Sequence, residues 1–125
     1  MAVKDQLKMA ASNIRRAAND LSAEATSLRQ TADQKKREAD QSMASKSSAV
    51  RGAAEDAQRS DDDHERREKN SEARSTEREI SQIRVDAKKE QEQLLRDAKA
   101  KESEISSLKN RASDLESKAG GPSFL

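Results

Sequence analysis

The chain has no cysteine, tryptophan or tyrosine, one phenylalanine, one proline and three glycines in 125 residues. Without cysteine there is no disulfide frame, no thiolate metal site and no thiol nucleophile. With 31% of residues apolar and 1% aromatic, the chain cannot build a thick globular core. Disorder goes with high net charge and abundant Pro and Gly, and here 25 basic residues nearly balance 24 acidic ones for a net charge of +1. No run approaches 18 apolar residues and residues 1–8 have no apolar signal-peptide core, so neither a membrane span nor a secretion signal is expected. These absences leave long, solvated helices in a soluble, cytoplasmic protein as the expectation.

Two apolar stripes carry the architecture. In the first, Leu7, Ile14, Leu21 and Leu28 recur every seven residues, and Ala11, Ala18, Ala25, Ala32 and Ala39 form the companion line. In the second, Ile80, Ala87, Leu94, Leu108 and Leu115 hold one line and Ala98, Ile105, Ala112 and Ala119 the other. Apolar residues alternating at three and four positions over several heptads form the seam of a coiled coil. Between the stripes, residues 60–79 contain Ala73 as their only apolar residue, so no seam is expected there.

The stripes do not share a phase. Glu77 lies 38 residues beyond its seam equivalent Ala39, three over a multiple of seven, and a continuous coiled coil would have to overwind to absorb it. A chain reversal removes the conflict. Sums of 119 and 133 also match the phase, but pairing residues whose numbers add to 126 uses the whole of both stripes, puts the apex near Asp63 and places Leu7 by Ala119, Ala11 by Leu115, Ile14 by Ala112, Ala18 by Leu108, Leu21 by Ile105, Leu28 by Ala98 and Ala32 by Leu94. Nearly every layer then holds one large and one small side chain, which keeps layer volume uniform.

The fold class expected is therefore all-α: a long antiparallel helical hairpin with an Ala/Leu seam, able to pair into a four-helix bundle. Its parts are a helix over 1–59, a turn near 58–63, a helix over 60–119 and a flexible tail over 120–125. Ser60, followed by Asp61, Asp62 and Asp63, reads as the N-cap of the second helix with acids in its first turn. Acid-to-base pairs at i,i+4 follow at Asp62–Arg66, Asp63–Arg67 and Glu65–Lys69. Residues 45–52, with Ser47, Ser48 and Gly52, are a second candidate break. Lys35, Arg84, Gln91 and Lys101 interrupt the seam, while Met43, Ile83, Val85 and Leu95 fall on other faces.

No catalytic, cofactor or metal site is expected. His64 sits among Asp61, Asp62, Asp63 and Glu65 but has no second His or Cys to join it, and the Gly and alternating acids of an EF-hand are missing. The basic clusters Arg15–Arg16, Lys35–Arg37 and Arg66–Lys69 are interleaved with acids and have no aromatic stacking platform, which disfavours nucleic acid. The expected partners are proteins bound by helix packing, including further copies of the chain, with Val85, Leu95, Phe124 and Leu125 as candidate docking residues. The closing Ser123, Phe124 and Leu125 resemble the C-terminal peptides that PDZ domains capture.

The leading functional expectation is a non-enzymatic coiled-coil scaffold or adaptor. The Ala, Lys, Glu, Asp, Gln and Ser bias is also similar to late-embryogenesis-abundant-type chains, although their 11-residue repeat is missing, and this resemblance implies a conditionally folded stress protectant. In length and charge the chain is similar to small helical hairpins of secretion systems or rotary ATPase stalks, which implies a component or substrate of a larger machine. The Trp-x-Gly turn of type VII secretion hairpins is absent.

Overall fold

Sparse Gly and Pro and abundant Ala, Lys, Glu and Gln favour uninterrupted helix. The computed structural model describes residues 2–120. It consists of two helices, α1 (Val3–Arg59) and α2 (Asp63–Gly120), packed on each other as a helical hairpin with no strand among the described residues. The reversal occupies residues 60–62. The candidate C-terminal docking residues Phe124 and Leu125 lie outside the described residues.

The start of α2 departs from the expected cap. Ser60 lies buried in the connector, where its Oγ accepts from the Asp62 amide at 3.2 Å and its carbonyl accepts from Arg66 Nη2 at 2.8 Å. Asp62 is the residue that caps α2: its Oδ1 accepts from the His64 amide at 3.0 Å, and its carbonyl accepts the first helical bond from the Arg66 amide at 3.0 Å. A carboxylate at this position also complements the positive end of the helix dipole. The helix therefore starts at Asp63 instead of Ser60. The expected i,i+4 pairs are replaced by Arg66–Asp63 at 3.7 Å, Lys69–Glu72 at 3.5 Å and His64–Glu68 at 3.1 Å, since Arg66 turns back to the connector.

Two compact units divide the hairpin, one from residues 2–31 with 94–120 and one from residues 32–93. In the first unit, Ala11, Ala18, Ala25, Ala98, Ala112 and Ala119 are buried, with Ala18, Ala98 and Ala112 sealed at 0% exposure. The larger Leu7, Ile14, Leu21, Leu28, Leu94, Ile105, Leu108 and Leu115 are half-buried. This is the geometry of a two-stranded contact, in which a small side chain sits at the centre and a long one lies across the edge of the seam.

In the second unit the seam continues to the turn, which corrects the expectation of a gap over 60–79. Ala73 is buried and Lys69 and Thr76 are half-buried, opposite a line on α1 formed by Ala53, Ala57 and the half-buried Val50. The seam survives because one line shifts by a single position. On α1 the half-buried residues run Lys35, Ala39, Met43, Lys46 and Val50; on α2 they run Thr76, Ile80, Ile83, Ala87 and Gln91. Each run contains two successive four-residue steps, a stutter that unwinds the coil locally and lets a helix of 3.6 residues per turn catch up with a repeat of 3.5. The stutters face one another, because Ala39 with Ala87 and Met43 with Ile83 again add to 126. Met43 and Ile83 therefore belong to the seam, and Arg84, which a strict heptad puts inside, is exposed.

The candidate break at 45–52 does not exist: α1 passes through it unbroken. Gly52 is exposed and has a helical backbone, and a Cβ added there meets nothing within 4 Å. Gly52→Ala should accordingly stabilise the fold by about 1 kcal/mol through helix propensity, read as a raised urea midpoint. Ala18→Leu should do the reverse, since a fully enclosed alanine leaves no volume for an isobutyl group. The expected loss is about 1–3 kcal/mol, and an unchanged midpoint would contradict the close packing described.

Candidate interaction surface

Charged side chains flank the seam in a regular arrangement. In the first unit, Arg15 Nε donates to Glu116 Oε1 at 2.7 Å and its Nη2 reaches Ser113 Oγ at 3.4 Å, while Arg29 pairs with Glu102 two heptads on. On the opposite flank Lys101 Nζ donates to Glu24 Oε2 at 2.8 Å. In the second unit, Lys35 pairs with Glu90 at 3.6 Å and Lys46 with Glu79 at 2.7 Å. The two Arg–Glu pairs, both in the first unit, have residue numbers adding to 131, and the three Lys–Glu pairs, one in the first unit and two in the second, have numbers adding to 125.

The three lysines have a dual role. Their stems occupy seam positions and their ammonium groups emerge at the flank, where a glutamate of the other helix receives them. Glu24 holds the Lys101 ammonium above the usual lysine range, first through the hydrogen bond and then through its charge, with Glu104 and Asp97 adding to the field. Glu102 raises Arg29 in the same way. Such half-exposed pairs contribute little to stability individually. Their main effect is on register, since a one-heptad slip would set each charge against a different residue.

Beyond the seam, the exposed large apolar residues among those described are Val3, Met9, Val85 and Leu95, the last two at 47% and 37% exposure. Sequence reasoning had singled out Val85 and Leu95, and both lie on α2, in different units. It missed the cross-helix ion pairs, although their constant number sums are a signal present in the chain. Among the described residues no group of three or more His, Cys, Asp or Glu is placed to hold a metal ion, and His64 is engaged with Glu68. No helix among them is long and apolar enough to cross a membrane.

The geometry is that of a contact surface two helices wide. No protein family, characterised protein or solved structure matches the chain. Its function has therefore to be argued from this surface alone, whose open faces are shallow grooves lined mainly by Arg, Ser, Asn, Gln and Glu.

The Lys101–Glu24 pair predicts a pH response. A group whose folded-state affinity for protons is raised contributes stability below its unfolded pKa and loses it as pH rises through the folded value. Lys101 should therefore support the hairpin through neutral pH and cease to do so only above the ordinary lysine range. In thermal melts Glu24→Gln should lower the midpoint at neutral pH and shrink the difference from the parent in strong alkali. A pH-independent difference would show that the pair acts through packing alone.

Proposed function

We propose that the protein is a non-enzymatic helical scaffold that holds partners, among them a second copy of itself, by helix packing. The observation that carries this reading is the thinness of the core: among the described residues every buried apolar residue is an alanine, and no large side chain is fully buried. Two helices that close on alanine leave the edges of their leucines and isoleucines partly open, and Val85 and Leu95 stand outside the seam altogether. Association into a four-helix bundle or docking on another protein buries this surface and adds to stability by mass action. The exposed large residues are spread along the helices and not gathered in a pocket, which suits a long helical partner better than a small molecule.

The thin core also supports a second reading, in which the chain is largely unfolded when dilute and becomes helical on crowding or drying, as a hydrophilic protectant would. Circular dichroism in dilute buffer separates the two, because the scaffold is helical there and the protectant is not. A third role, as a component of a larger machine such as a secretion system, is a special case of the scaffold reading with a fixed partner.

Light scattering on the purified chain tests the scaffold reading. The parent should show a concentration-dependent molar mass that is a multiple of 13.8 kDa, and Val85→Ser with Leu95→Ser should return it to 13.8 kDa while leaving helicity intact. A monomer of random-coil dimensions at every concentration would exclude the scaffold.

A further inference from the structure

The structure disposes of the basic clusters in an unexpected way. Arg15 is taken by Glu116, Lys35 by Glu90, Arg66 by the Ser60 carbonyl and Asp63, and Lys69 by Glu72. At least one member of each cluster is thereby taken up, while Arg16, Lys36, Arg37 and Arg67 are not. Arg67 belongs to a row built by helical spacing with Arg74 and Arg78, all exposed on α2 in the second unit, with Asn70, Ser71 and Ser75 between them. These six residues line one shallow groove of about 510 Å³, and no carboxylate lines it.

The glutamates nearest in sequence are committed elsewhere, Glu68 to His64, Glu72 to Lys69 and Glu79 to Lys46. Glu77 borders only the adjoining groove, which shares Arg74 and Arg78. The three guanidiniums have no hydrogen bond or ion pair of their own among the described residues. At 1.5 Å per residue their stems are spaced about 10 Å and about 6 Å along the helix, so one extended anion can meet all three. Arg74 and Arg78, four apart, repel each other until an anion joins them.

We propose that this face binds the phosphate backbone of a double-stranded nucleic acid without reading its sequence. Arg, Ser and Asn are the residue types that contact phosphate oxygens, and the guanidinium fork matches two of those oxygens at once. The absence of any aromatic in the groove removes the stacking platform that single strands require, which favours a duplex. The small Ser71 and Ser75 let the backbone approach the helix closely. The helix-packing role proposed above uses Val85, which lines the adjoining groove together with Arg74 and Arg78, so the two surfaces are neighbours.

Fluorescence anisotropy with a labelled DNA duplex of about 20 base pairs, at about 50 mM salt, tests the proposal. The parent chain should bind two unrelated duplex sequences equally, with a salt slope of about −2.7 for three phosphate contacts. Arg67→Gln, Arg74→Gln and Arg78→Gln together should weaken binding roughly tenfold or more and flatten the slope, with the circular dichroism spectrum unchanged because the residues are exposed. Glu77→Gln, which removes the bordering carboxylate, should tighten it. Undiminished binding by the triple variant, tighter binding of a single strand, or no duplex binding by the parent would overturn the proposal. Equal binding of poly-L-glutamate would overturn it in favour of an acidic protein partner.

Discussion

The contact on which the rest of the molecule depends is the burial of alanine between the two helices. Ala11, Ala18, Ala25, Ala98, Ala112 and Ala119 fill the centre of one unit, and Ala32, Ala53, Ala57 and Ala73 that of the other. A methyl group at the centre of a seam permits close approach of the helices. Larger side chains must then lie across the edges, and charged stems can reach a partner on the opposite helix. The half-buried leucines and the Lys–Glu and Arg–Glu pairs are both consequences of that approach.

Hydrophobic stabilisation is correspondingly thin. A half-buried leucine contributes a fraction of the roughly 2 kcal/mol expected of a fully buried one, and alanine contributes less because it removes little area from water. The second unit is poorer still, with Lys35, Lys46, Lys69, Thr76 and Gln91 at or beside its seam and Met43, Val50, Ile80 and Ile83 as its larger apolar members. Polar layers of this kind lower stability while excluding alternative registers. The ion pairs are weak taken singly, yet all five agree on one alignment, and that agreement distinguishes it from a shift of one heptad in either direction.

Function follows from the same constraint. The grooves described among residues 2–120 are open ones and present their lining on an outer face. The outer faces are of two chemical kinds: apolar side chains standing singly, such as Val85 and Leu95, and a row of unpaired arginines on α2. The first kind is suited to another helix and the second to a polyanion, and the two meet where Val85 borders the groove of Arg74 and Arg78.

The amino-acid sequence by itself determined the helical class and the reversal near residue 60, because the first rests on local periodicity and the second on a phase difference between the two stripes. Only the tertiary structure decided the rest. A strict heptad cannot reveal that Met43 and Ile83 turn inward, because the stutter that brings them there is tolerated only when the facing helix makes the same shift. Nor could Ser60 be told from Asp62 as the cap until the connector had claimed the serine hydroxyl. The row of Arg67, Arg74 and Arg78 emerged for a similar reason: which charges are free depends on which glutamates the opposite helix and the next turn have already taken.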